Sequence, residues 1–441
     1  MVGADKRAQD TPRQTAHRHV AVHQLTSRLR AWSKNAGLST TVFYYALGKL
    51  TYVAIASAAI LLGIGSQLQI PHDGSEPLAF SLESIMIRAW SHWDSGWFLS
   101  IARYGYPQLY AQRIGKEIGS SGGDVFNFFP MYPMAIKAIS YLTQETGFPV
   151  IAALIVSDVS FILSVYVIYR LLSLDYERPI IDRTLLVLIL FPAAFFLTSA
   201  YYESLFLLLS LSAFYMARRQ NWTAAGMLGM MVALTVGFGV LIFFPLLMEF
   251  LSARGLTLTT IKDRRTYVSA LPLLLVPMGT FAFMLYSYSV TGNLFEFAVA
   301  TRYWYVQFSP PWRAVLSSAR LLIEKGVSSY FLRSNAVNLA FALTAILLTI
   351  YGWVVRKVRI SYLTWSTMVL LVLLSAFRVE GGPYPPITAF PLFMLRVWPL
   401  FLLMGIILSG NRLMRLLVLT MSTVLLTFMC ALFVNGYIFP I

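Results

Sequence analysis

Cysteine, histidine and charge are all scarce in this chain of 441 residues. Its one cysteine, Cys430, lies inside an apolar run, so an internal disulfide and a cysteine-based metal site are excluded. Of the five histidines, none stands at ligand spacing from His92, and no paired carboxylate does either. No metal and no cofactor are therefore expected. Charged residues make up 12% against 58% hydrophobic, a composition that rules out soluble multidomain readings. Acidic residues are fewest: 19 Asp and Glu against 34 Lys and Arg, a formal charge of +15. On a soluble domain that excess would suggest nucleic acid, but here the basic residues cluster at the ends of apolar runs. They read as topology signals, and no nucleic-acid partner is expected. A repeated period, inverted halves and charges facing one another at the bilayer midplane are also missing, although a transport site would favour them.

What is present is a succession of apolar runs of about 15–24 residues, each suited to crossing ~30 Å of hydrocarbon. The reading is an all-α polytopic membrane protein with about 11 transmembrane helices, surrounded by membrane lipids and with short basic loops on one side. Residues 1–40 carry Lys6, Arg7, Arg13, Arg18, Arg28, Arg30 and Lys34 without an apolar core, so they form a basic cytoplasmic tail and no cleavable signal peptide. Residues 41–441 make one transmembrane domain. Its first span runs from about Thr41 to Leu68, with a turn at Pro71–Pro77. A first external loop, 69–147, carries interfacial helices and a flexible excursion at 115–124. Residues 131–145 read as interfacial or re-entrant, because Lys137, Gln144 and Glu145 make a crossing costly. Later spans include 148–172, 185–200 and 387–408, a pair hinged at Gly237-Phe-Gly239, and a second external segment at 291–334. Asn221-Trp-Thr223 fits a glycosylation sequon, but Arg218 and Arg219 place it on the cytoplasmic side.

The chain is organised around Arg88-Ala-Trp-Ser-His-Trp-Asp-Ser-Gly-Trp-Phe-Leu-Ser-Ile-Ala-Arg-Tyr-Gly-Tyr106, too polar to cross a membrane and too aromatic for an ordinary loop. A helix over 90–104 puts Trp90, Trp93, Trp97, Ile101 and Tyr104 on one stripe and Ser91, His92, Ser95 and Arg103 opposite. Asp94 breaks that pattern, and a carboxylate among tryptophans is costly unless something meets it. It is the candidate catalytic acid. A helix cap or a surface acid is the plain alternative.

Around it, Glu203 stands where two spans meet externally and is either a second acid or a carboxylate favoured by a helix start. His92 suits a sugar hydrogen bond or a wet surface. Trp93, Trp97, Phe128, Phe129 and Tyr132 suit sugar stacking or an aromatic belt. Arg302, Arg313, Arg378 and Arg396 are candidate phosphate cations, with Arg302 and Arg378 favoured; Arg378 and Arg396 flank a break around Gly381-Gly-Pro383 and can also simply snorkel.

His92-Trp-Asp94, Gly96-Trp-Phe98, Ile101-Ala102 and Gly105-Tyr106, followed by Phe128-Phe-Pro-Met-Tyr-Pro133, resemble the PIG-V family. These are GPI mannosyltransferase II enzymes and their bacterial relatives, within the membrane glycosyltransferases of GT-C fold. The likeness continues through Phe191–Phe206, Ala225-Gly226, Ala233-Leu-Thr235 and Ala389-Phe-Pro-Leu-Phe393. It departs at Thr235-Val-Gly-Phe-Gly239, where many relatives carry a basic residue, and at Gly382-Pro-Tyr-Pro385, where relatives often have Arg-Tyr. The resemblance implies a GT-C-like bundle with Asp94 as the external-loop acid near the catalytic centre. It also implies a polyprenyl- or dolichyl-phosphate sugar donor, most often mannose, and a lipid-linked or glycan acceptor on the noncytoplasmic face of a bacterial plasma membrane or the endoplasmic reticulum. In such inverting transfer a base helps deprotonate the acceptor while the sugar leaves its phosphate. The rival readings are a flippase for lipid-linked sugars and an inactive scaffold of a glycan-assembly complex.

Overall fold

The computed structural model describes residues 12–62, 89–113, 123–145, 147–255, 264–378 and 384–437, with side chains from residue 37 onward except 264–266. Arg88, the expected turn at Pro71–Pro77, the end of the first span at 63–68, most of the 115–124 excursion and Gly381-Gly-Pro383 lie outside the described residues.

Helices follow one another along the chain. The first are α1 (Pro12–Leu61), α2 (Ser95–Arg113), α3 (Met131–Thr143), α4 (Val150–Leu172), α5 (Arg178–Ile189) and α6 (Glu203–Arg218). Next come α7 (Trp222–Ala233), α8 (Phe243–Arg254), α9 (Arg264–Ala270), α10 (Leu275–Thr291), α11 (Glu296–Val299) and α12 (Pro311–Lys325). The last are α13 (Tyr330–Val355), α14 (Ile360–Ser375), α15 (Phe390–Met394), α16 (Pro399–Ile407) and α17 (Arg412–Val434). Two short strands, β1 (Val306–Phe308) and β2 (Ala376–Arg378), pair antiparallel, with Val306 opposite Arg378.

The protein is an all-α polytopic membrane protein, but its helices are more interrupted than hydropathy suggests. Among the described residues, six helical stretches are long and apolar enough to cross a bilayer: Gly37–Leu61, Val150–Leu172, Gly237–Arg254, Tyr267–Thr291, Tyr330–Val355 and Arg412–Val434. That is fewer than the eleven or so expected. The runs 185–200 and 387–408 are not single helices. In the first, α5 stops before Pro192 and a 3-10 turn takes over at Ala194–Thr198. In the second, Pro391 and Pro399 open two separate short helices, α15 and α16. Mean hydropathy registers the apolar content of such a run and is blind to where its backbone turns. Helix α3, with 13 residues, is only about 20 Å long, too short to cross.

The core lies where α6 packs against α4 and α7. Serines on α4 allow close approach: Ser157 Oγ donates to the Tyr201 carbonyl at 3.1 Å and Ser164 Oγ to the Ser204 carbonyl at 3.3 Å. Farther along α6, Phe214 meets Trp365 and Trp398 edge-on at 6.4 and 5.5 Å, an arrangement that suits the ring quadrupoles. At the expected hinge, a Cβ on Gly239 would lie 2.2 Å from the Val232 carbonyl oxygen, so only glycine lets the 3-10 turn fold back onto α7. Gly239→Ala should therefore lower the yield of folded, detergent-soluble protein; a melting curve unchanged from wild type would contradict this.

Beside α6, near the middle of two spans, Lys49 Nζ donates to both carboxylate oxygens of Asp158 at 2.9 Å and ties α1 to α4. Facing charges within the bilayer were not expected, because residues 109 apart in sequence share no local pattern. At one end of the bundle Arg218 pairs with Asp175, Arg359 pairs with Glu249 at 3.0 Å, and Tyr176 donates to the Lys357 carbonyl at 2.9 Å. These contacts bind the basic loops to one another. The aromatic segments gather at the opposite end.

Candidate active site

The Trp-Asp stretch is held by backbone contacts, not by a helix of its own. The Ala200 amide donates to the Trp90 carbonyl at 2.9 Å and the Tyr201 hydroxyl to the His92 carbonyl at 2.9 Å. Helix α2 starts only at Ser95, so the expected stripe through Trp90 and Trp93 does not form. Ser95, expected on the polar side, is wholly buried, with its hydroxyl donating to the His92 carbonyl at 2.9 Å. Trp93 takes a left-handed backbone (φ 60), a conformation strained for a bulky residue and worth about 1–3 kcal/mol. The result is a sharp corner directly before Asp94.

Asp94 occupies the position of a helix cap without using its side chain as one: the Trp97 amide donates to its backbone carbonyl at 3.1 Å. Its carboxylate has no hydrogen-bond partner among the described residues. The side chain is open to solvent, yet burial is the main reason its pKa is pushed up to about 6, with Glu203 also raising it and Arg378 and Arg396 lowering it. Water reaches the carboxylate while the surrounding protein still disfavours its charge. One acid is thus kept unspent, within the electrostatic reach of two arginines and a second acid.

The cations come from two different devices. Arg378 closes strand β2; its Nη1 donates to the Trp304 carbonyl at 2.5 Å and its guanidinium lies 4.2 Å from the Tyr384 ring centroid. Burial lowers its pKa, while Tyr384 and Asp94 raise it. Arg396 sits in the link between α15 and α16 and donates from Nη2 to Glu203 Oε1 at 2.7 Å. It was expected to reach the headgroup plane, and it lies buried instead, because Glu203 meets it at the start of α6.

The other expected residues are dispersed. Trp93 is 42% exposed, and its indole has no ring or hydrogen-bond partner among the described residues, which leaves an open aromatic face beside the acid. Trp97 is engaged: Phe128 stacks on it at 5.2 Å and the Arg113 guanidinium lies 4.1 Å from its centroid. Phe129 is buried against Phe283 at 4.6 Å. Tyr132 is wholly buried, its hydroxyl lying 2.9 Å from Ser157 Oγ and 3.2 Å from the Ala153 carbonyl oxygen. The His92 ring is 3.4 Å from the Val434 carbonyl and edge-on to Phe433; burial lowers its pKa. Arg302 is exposed and contacts no charged or aromatic group among the described residues, and Arg313 lies over Phe377 at 5.2 Å. The structure therefore gathers Asp94, Glu203, Arg378 and Arg396, with Trp93 alongside. It does not bring Phe129 or Arg302 to them.

Two participants escaped sequence reasoning. Tyr202 packs on Phe98 at 5.5 Å and against the Arg396 guanidinium at 4.8 Å; its adjacency to Glu203 was the available signal. Trp304 supplies the carbonyl that holds Arg378 and packs on Phe128 at 5.8 Å, and only the β1–β2 pairing places it there. Among the described residues no group of three or more metal-ligating side chains forms.

The family model described as Mannosyltransferase (PIG-V) matches residues 66–244, a span that contains Asp94 and Glu203. A GPI mannosyltransferase 2 from Yarrowia lipolytica is 27% identical over 209 residues, covering 46% of this chain and 52% of that protein. The chain spans about half the length of the curated relative it matches. No solved structure matches it.

Proposed function

We propose that this chain, whose residues 66–244 match the PIG-V mannosyltransferase family model, is a membrane glycosyltransferase of that family that moves mannose from a polyprenyl- or dolichyl-phosphate carrier to an acceptor hydroxyl. The acceptor is a lipid-linked sugar or glycan on the noncytoplasmic face, where the aromatic end of the bundle would lie with the basic loops in the cytoplasm. The observation that carries this reading is the unspent Asp94 carboxylate, reached by water, hemmed in by protein and opposed by two arginines.

Each group has a stated task. The Asp94 carboxylate accepts the proton of the acceptor hydroxyl as that oxygen attacks C1 of the sugar. The C1–O bond to the carrier breaks, and its electron pair stays on the phosphate. Arg378 offers a fixed guanidinium to the charge that develops there. Trp93 offers an exposed face to the apolar side of a pyranose. No metal is assigned a part.

A base must be ionised to act, so transfer should be full above the Asp94 pKa of about 6 and fall by about tenfold per unit as pH drops below it. The test supplies membranes containing the protein with polyprenyl phosphate bearing radiolabelled mannose and follows label into a new glycolipid. Label that stays on its carrier while crossing the bilayer would mark a flippase. Transfer that is flat from pH 4.5 to 7.5 would remove Asp94 as the base.

A further inference from the structure

We propose that Glu203 is a positioning residue: through its ion pair it fixes the Arg396 guanidinium in the link between α15 and α16, as a second stationary cation acting on the carrier phosphate beside Asp94. The proposal rests on the transfer reading above and assigns Glu203 a part other than that of a second acid.

Access and pairing both argue for it. The Glu203 side chain is 0% exposed and that of Arg396 is 7% exposed, so no acceptor hydroxyl can reach the carboxylate. One of its oxygens is already bound by the guanidinium at 2.7 Å, and a neutralised carboxylate is a poor proton acceptor. Arg396 is enclosed further by the Tyr202 and Phe393 rings, at 4.8 and 4.4 Å from its guanidinium. Among the described residues, Glu203 Oε2 and Arg396 Nε find no hydrogen-bond partner. Such a pair is costly to bury, and hydrophobic residues of similar size commonly stabilise a fold as well or better. Its use here is geometric. Arg396 lies in the short turn that separates two proline-initiated helices, where the backbone alone would leave a long side chain free. Glu203, in the first turn of α6, removes that freedom. In the weakly screened interior the fixed charge acts on an anion nearby without touching it.

The test compares E203Q, R396Q and the double variant with wild type in lipid nanodiscs, using polyprenyl-phosphate mannose as donor and total lipid of the source cells as acceptor. E203Q should raise the donor KM about tenfold, change kcat less than about threefold and retain the acid limb, moved to lower pH because the Glu203 charge that raises the Asp94 pKa is gone. The double variant should be no worse than R396Q, because Glu203 then has nothing to hold. R396Q alone should unfold at the lowest temperature of the set, since it leaves a buried carboxylate unopposed, and E203Q/R396Q should recover part of that loss. A fall in kcat at unchanged donor KM in E203Q, loss of the acid limb, or losses that multiply in the double variant would overturn the assignment. If wild type itself transfers no label, the transferase reading fails separately. The pairing is then judged by the melting temperatures alone, and a double variant no more stable than R396Q would refute it.

Discussion

Asp94→Asn should reduce mannose transfer by about 100- to 10,000-fold, the range that a positioned general base contributes, while the protein still inserts and folds. Asparagine keeps the size and polarity of the side chain and removes only its capacity to take a proton. The expected loss is in kcat, with donor binding little changed. Stability should move the other way. An acid whose folded pKa is raised, here to about 6, is penalised by folding once it ionises, so the native state loses stability as pH climbs from below 4 through 6. At neutral pH the wild-type chain carries that penalty and the variant does not. The paired readout is activity at pH 7.5 and the melting temperature at pH 4 and pH 7.5. An active variant would refute the base assignment, and an inactive one that melts well below wild type would show damage to the fold instead.

The second large effect is expected at Arg378. Arg378→Gln removes a guanidinium held by the Trp304 carbonyl and the Tyr384 ring, and the loss of a preorganised partner for developing charge typically costs about 100- to 1,000-fold in kcat. It has a further signature. Arg378 lowers the Asp94 pKa, so its removal should move the acid limb of the rate profile to higher pH. Arg378→Lys should restore part of the electrostatic shift and little of the rate, because an ammonium cannot reproduce the planar fork. A limb that stays in place in both variants would separate Arg378 from Asp94.

Much of this was legible in the sequence because it is local. The long apolar runs of α4, α13 and α17 declare themselves by length and composition. The glycine hinge at 237–239 and the short helix after Pro130 were marked by residues with strong backbone preferences. The Trp-Asp stretch stood out because a carboxylate among tryptophans needs a reason. What local pattern could not carry was pairing at a distance. Glu203 and Arg396 are 193 residues apart, and nothing near either announces the other. Helical periodicity also misled at residues 90–94: the contacts that hold them come from Ala200 and Tyr201, so tertiary contacts override the amphipathic stripe. Phe129 and Tyr132 have the composition of a sugar platform and the surroundings of a core, and composition does not distinguish the two.

The contact between Lys49 and Asp158 bears on how the chain is made. Lys49 leaves the ribosome long before Asp158, and a lone ammonium at the centre of an inserting helix costs about 2.5–3.5 kcal/mol. Helix α1 is therefore poorly settled in lipid until α4 arrives to neutralise it. The charge is compensated only when the two helices meet and Lys49 gains the Asp158 carboxylate as an ion-pair partner.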